Sequence, residues 1–123
     1  EYVATASTAF MEDLYDKLDR AIEASKRGFS YLHIYSPCTT GWRFPSAENI
    51  EVARKAVETN FVMLWEFNPT DGLRLSRSLD EPRPIDEYLE ALGKYRHLEP
   101  DQVGHIEATL RKNVEQIRGL AGG

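Results

Sequence analysis

Hydrophobic and polar positions along this chain switch between a period of two and a helical period, and the switches mark its elements. Tyr2-Val3-Ala4-Thr5-Ala6 is a run of small and β-compatible residues, read as a strand over residues 2–6. Met11, Leu14, Tyr15, Leu18, Ala21 and Ile22 then recur at helical spacing. With Ser7 or Thr8 as N-cap and Arg27-Gly28 as the stop, they predict a helix over 8–27. The second strand is expected at 30–36. Leu32 and Ile34 fall on one face and Tyr31, His33 and Tyr35 on the other, so neither side reads as solvated. Ser46 caps a helix over 46–59, lined by Ile50, Ala53, Ala56 and Val57, and a third strand follows at 61–67. Strand, helix, strand, helix, strand predicts two successive right-handed βαβ units in a mainly parallel sheet.

The pattern changes at Asn68-Pro69-Thr70-Asp71-Gly72, a dense turn signal. Leu73 to Ser76 reads as a short antiparallel return, and the Pro-containing stretch from Ser78 to Pro84 as an exposed connection. Ile85, Tyr88, Leu89 and Leu92 predict a short helix over 84–93. Pro100 starts a last helix over 100–120, striped by Val103, Ile106, Leu110, Val114 and Ile117.

Composition narrows the function. In 123 residues, 41% are hydrophobic and 28% charged, which suits one modest soluble domain. A net charge of -5 argues against nucleic acid or an anionic membrane as partner. The longest strongly apolar run, Phe61 to Trp65, is far too short to span a bilayer. A lone cysteine argues against a disulfide framework, and a cytoplasmic protein is the expectation. The chain starts on a strand-like run without Met, which leads us to expect a piece of a longer protein.

That cysteine, Cys38, follows the second strand and Pro37, at the strand end where α/β folds place their chemistry. A small buried hydrophobe, a metal or cluster ligand and a nucleophile are all open readings. His33 reads as a core histidine, and His97 and His105 as surface or helix-packing residues. Thr39-Thr40-Gly41-Trp42 is either a loop closing over a cofactor or a turn with Trp42 on the core. Glu12, Asp13 and Asp16 read as a solvated helix face, and Arg74 and Arg77 as an exposed edge. No phosphate-binding glycine motif and no complete zinc-ligand spacing occurs.

Taken in order, several segments resemble the C-terminal part of the β subunit of 2-oxoacid:ferredoxin oxidoreductases, the pyruvate enzymes above all. They are Tyr2 to Ser7, Tyr35-Ser36-Pro37-Cys38-Thr39-Thr40-Gly41-Trp42-Arg43, Ala53 to Thr59, Leu64-Trp65-Glu66-Phe67, Pro84 to Leu89, and Lys94-Tyr95-Arg96-His97-Leu98. The resemblance implies an α/β fold: residues 1–67 as the C-terminal part of a thiamine-diphosphate-binding domain, and 68–123 as an extension packed on it. It implies a subunit that holds thiamine diphosphate with Mg2+ and a [4Fe-4S] cluster, with Cys38 as one cluster ligand. The remaining ligands and the Gly-Asp-Gly cofactor motif do not occur in this stretch, so no catalytic or thiamine-binding residue is assigned here. The activity implied is oxidative decarboxylation of pyruvate or a related 2-oxoacid to acyl-coenzyme A, with electrons passed to ferredoxin. The α, γ and δ subunits or equivalent domains are the implied partners. A non-catalytic α/β interaction module with an inert cysteine is the alternative.

Overall fold

The computed structural model describes residues 1–42, 44–95 and 97–121. Arg43 and Arg96, quoted above, and Gly122-Gly123 lie outside the described residues. The elements are β1 (Tyr2–Ser7), α1 (Met11–Ser25), β2 (Ser30–Tyr35), a helical turn α2 (Thr39–Trp42), α3 (Asn49–Glu58), β3 (Trp65–Asn68), β4 (Gly72–Leu75), α4 (Ile85–Ala91) and α5 (Pro100–Leu120). Short 3-10 turns at Ser46–Glu48 and Gly93–Tyr95 complete the order.

One sheet runs in the order β2-β1-β3-β4. β1 and β2 are parallel, with Tyr2 opposite Ser30 and Ser7 opposite Tyr35. This is the first expected βαβ unit, with α1 as the crossover. The second is overturned: β3 runs antiparallel to β1, with Ala4 opposite Glu66, so the sheet is not mainly parallel. The chain after α3 enters the sheet on the far side of β1 and in the opposite sense. Asn60 makes this possible, taking a left-handed φ of 64° behind α3, where its amide N–H bonds Val57 O at 3.0 Å. Its side chain donates to Leu79 O at 2.9 Å, which anchors the reversal. The third strand therefore starts only at Trp65. β3 and β4 form the expected antiparallel return. Asn68 Oδ1 accepts the N–H groups of Thr70 and Asp71 at 2.9 and 2.8 Å, and Gly72 takes a φ of 77° that a side chain would strain.

Two apolar layers grip this sheet. On one face α1 sets Ala21 and Ala24 against Tyr2, Ala4 and Leu32. Ala4 and Ala6 are fully buried, and their small size lets the helix lie close. Around Tyr35, at the end of β2, a larger cluster gathers Phe44, Val52, Ala56, Ile85, Tyr88, Leu89 and Leu92, with Val103, Ile106 and Leu110 of α5 packed on it. Helix ends differ in detail from expectation. Ser7 does not cap α1 itself; its Oγ accepts Ala9 N–H at 3.2 Å in the turn before the helix, and Phe10 takes the cap position. α5 opens with Pro100 behind a reciprocal Glu99–Gln102 capping box.

Candidate functional site

The carboxyl ends of β1 and β2 lie side by side, and the sequence-predicted ligand leaves from there. Thr8 N–H bonds Tyr35 O at 3.3 Å, tying the two exits together. Pro37 is buried, and its carbonyl accepts Asn49 Nδ2 at 3.3 Å from the start of α3. Cys38 O then accepts Trp42 N–H at 3.0 Å and closes the α2 turn. Trp42 packs on the larger core cluster, its ring 5.5 Å from that of Tyr35, so it serves the core and is not a lid. Cys38 is thus a solvent-exposed thiol on a turn pinned from both sides. Exposure overturns the reading of Cys38 as a small buried hydrophobe.

His33 is also exposed on β2, against its reading as a core histidine. β2 is an edge strand, with Tyr31 and Ile34 exposed, so the face-to-face burial expected of it does not occur. His97 and His105 are exposed, as read from the sequence. Among the described residues no three His, Cys, Asp or Glu side chains gather closely enough to hold a metal ion. A four-iron cluster takes four thiolates. Cys38 fits one of these places and the described residues supply no other. Nothing here fits thiamine diphosphate, since no Gly-Asp-Gly stretch occurs in the sequence.

Further groups at this end were not foreseen. Phe10, in the turn after β1, lies under two guanidinium groups, Arg77 at 4.8 Å and Arg54 at 5.2 Å from its ring centre. The Thr8 hydroxyl is buried and has no hydrogen-bond partner among the described residues. Tyr35 and Tyr88 share a hydroxyl–hydroxyl hydrogen bond behind the Cys38 turn. Burial pushes the Tyr35 phenol up to about 12, against the opposing pull of that bond.

A buried ionic network fixes α1 to the sheet beneath. Lys17, with a fully buried side chain, donates to Thr5 O at 2.8 Å, Asp13 Oδ2 at 2.8 Å and Ser76 Oγ at 2.6 Å. Burial pulls its pKa down, opposed by the hydrogen bond and charge of Asp13. Glu66 of β3, also buried, is bonded by Arg74 at 2.6 Å and Arg20 at 2.8 Å. Burial alone would raise Glu66, but Arg74, Arg20 and Lys17 together hold its carboxyl below the usual range. A signal for Lys17 was in the sequence: Leu14, Lys17, Ala21 and Ala24 share one helix face. Asp13, read as solvated, is half-buried and belongs to this network.

Comparison with known proteins sets this geometry in a family. Over 119 residues, 97% of this chain, the sequence is 67% identical to the beta subunit of NADH-dependent phenylglyoxylate dehydrogenase from Aromatoleum evansii, covering 27% of that protein. Over 117 residues it is 37% identical to pyruvate synthase subunit PorB of Methanothermobacter thermautotrophicus, covering 95% of this chain and 40% of the relative. Over 121 residues it is 34% identical to ketoisovalerate oxidoreductase subunit VorB of Pyrococcus furiosus, covering 98% of this chain and 38% of the relative. No protein-family model matches the chain. The relatives are, by name, subunits of oxidoreductases, and phenylglyoxylate, pyruvate and ketoisovalerate are all 2-oxoacids. These homologues are β subunits of 2-oxoacid:ferredoxin oxidoreductases, 34–67% identical across nearly the whole of this chain. It spans between 27% and 40% of the length of these relatives. No helix among the described residues is long and apolar enough to cross a membrane.

Proposed function

We propose that this chain is part of the β subunit of a cytoplasmic enzyme complex that oxidatively decarboxylates an aromatic 2-oxoacid of the phenylglyoxylate type to its acyl-coenzyme A ester. The observation that carries this reading is the 67% identity, over nearly the whole chain, to a phenylglyoxylate dehydrogenase subunit. Identity to the pyruvate synthase subunit is 37% over a similar span, which moves the substrate away from the pyruvate expected from the sequence. We propose further that the electrons end on a nicotinamide nucleotide, carried there by partner subunits, in keeping with the NADH-dependent relative.

Cys38 is proposed as one thiolate ligand of a [4Fe-4S] cluster, which supplies one-electron transfer when bound. Its support is a soft donor, exposed, at the carboxyl end of a parallel strand. Pro37 and Trp42 hold the turn on either side, so the thiol is presented without a change in backbone. Thiamine diphosphate and Mg2+ are proposed as cofactors of the complete subunit, held by residues beyond this stretch.

The test is the Cys38→Ser complex. Iron content should fall by about one four-iron cluster, and turnover with phenylglyoxylate should collapse while the subunits stay assembled. Full iron and undiminished turnover would return Cys38 to a structural role. Wild-type kcat/KM favouring pyruvate over phenylglyoxylate would overturn the substrate assignment separately.

A further inference from the structure

Among the described residues, two arginines stand apart from the rest. Arg20, Arg27, Arg74, Arg83, Arg111 and Arg118 each pair with an Asp or Glu carboxylate. Arg54 and Arg77 meet no carboxylate among the described residues. Both instead face Phe10, their guanidinium carbons 5.2 and 4.8 Å from the ring centre. Acids are at hand: Glu51 and Glu58 stand at ion-pairing spacing from Arg54 on α3. Arg54 passes them by. In a chain of net charge -5, where acids are in excess, two cations sharing a ring without an acid are the exception.

The fold brings this trio together from distant points. Phe10 lies in the turn after β1, Arg54 in the middle of α3 and Arg77 just past β4. Like charges on one ring repel, and the cation–π attraction offsets this only in part. A guanidinium held over a ring keeps most of its N–H donors free. Two such forks with no acid between them suit a group with two negative charges and several acceptor oxygens. A phosphate group answers that description better than a single carboxylate does. Arg77 is exposed and Arg54 half-buried, so the pair can be reached from solvent. We propose that Arg54 and Arg77, seated on Phe10, bind a phosphate group of coenzyme A.

The choice of coenzyme A rests on the acyl-coenzyme A reading above, which sets the phosphate-bearing molecules that the complex must handle. Thiamine diphosphate comes with Mg2+, which offsets the charge of its diphosphate. The nicotinamide nucleotide is reached through partner subunits. Coenzyme A brings phosphate charge with no metal of its own, so protein cations must meet it.

The test is isothermal titration of the complete purified complex with coenzyme A, without the 2-oxoacid. Arg54→Gln and Arg77→Gln should each weaken binding about tenfold, the scale of a lost charge-assisted hydrogen bond. Arg77→Lys keeps the charge and should bind more tightly than Arg77→Gln. Titration with 3'-dephospho-coenzyme A then tells which phosphate is held. Equal losses in the variants mean the diphosphate, and losses that vanish mean the 3'-phosphate; both support the site. Coenzyme A affinity unchanged within about twofold in both glutamine variants would overturn the proposal. So would an equal loss in Arg77→Lys and Arg77→Gln, or a loss seen only in the binding of thiamine diphosphate with Mg2+ or of NAD+. A wild-type complex without affinity for coenzyme A would overturn the acyl-coenzyme A reading as well. Binding is read without turnover, so it stands apart from the iron content of the Cys38→Ser complex.

Discussion

Lys17→Met isolates what the buried ammonium does. Methionine keeps the length and apolar body of the stem while the charge is lost. Three bonds disappear at once, to Thr5 O, Asp13 Oδ2 and Ser76 Oγ. Breaking a fully buried ion pair costs about 3–5 kcal/mol. Asp13, however, is 23% exposed and can turn to water, which lowers that figure. The Thr5 carbonyl is left to find a new partner, at about 1–3 kcal/mol for a buried orphan, while Ser76 is exposed and its hydroxyl can turn to water. Against this, the folded state no longer dehydrates an ammonium. The balance is a loss of about 2–3 kcal/mol, a factor of roughly 30 to 150 in the folding equilibrium.

The assay is urea unfolding followed by circular dichroism, with the denaturant slope compared between variants. A lower midpoint at unchanged slope reads directly as lost stability. The double variant Lys17→Met, Asp13→Asn should lose less than the sum of the single losses, because the second change removes the stranded carboxylate. A single-variant loss under about 0.5 kcal/mol at unchanged slope would refute the argument that this ammonium ties α1 to the sheet.

Glu66→Gln should change the acid limb of stability. The Glu66 carboxyl is held below its ordinary value of 4.5, so the folded state releases that proton more readily than the unfolded chain. Its contribution is full above the unfolded value and is lost as pH falls through the lower folded value. The variant should start less stable at neutral pH and fall less steeply through the carboxylate range; an equally steep acid limb by urea midpoint would refute this. Thr8→Val should stabilise by about 1 kcal/mol, since it removes a buried hydroxyl without a partner at nearly constant volume. A lower urea midpoint would mean that the hydroxyl is satisfied in the folded protein.

How much of this was legible depends on range. Periodicity located the four longer helices, but not the depth at which their stripes lie: of the apolar stripe from Met11 to Ile22 only Leu14 and Ala21 are buried, and Val103 to Ile117 contributes no fully buried residue. Strand direction was not legible. Residues 61–67 alternate no differently in a parallel or an antiparallel sheet, and the cue to reversal is the left-handed Asn60 bonded to Leu79. The edge position of β2 was hidden for a related reason: Tyr31, His33, Ile34 and Tyr35 are apolar enough to be central. Cys38 was legible as a position but not as a state. Its exposure comes from Pro37 and Trp42 turning inward around it, and only the latter's contact with Tyr35 reveals that. The Lys17 and Glu66 network needed three dimensions, since its partners lie 46 and 59 residues apart in sequence.

The reversed strand also decides what gathers around Cys38. With β3 parallel to β1 and the next strand returning, residues 76 and 77 would sit at the amino ends of β1 and β2, away from the thiol. Because β3 is antiparallel to β1, β4 runs in the direction of β1, and its carboxyl end falls at the same edge of the sheet. That brings Ser76 to Lys17 and sets the Arg77 guanidinium 4.8 Å from the ring of Phe10. A basic group therefore stands at the exit of β1, next to the exit of β2 that presents Cys38. Cys38, Phe10 and Arg77 thus gather at the carboxyl ends of β2, β1 and β4, with the antiparallel β3 passing between β1 and β4.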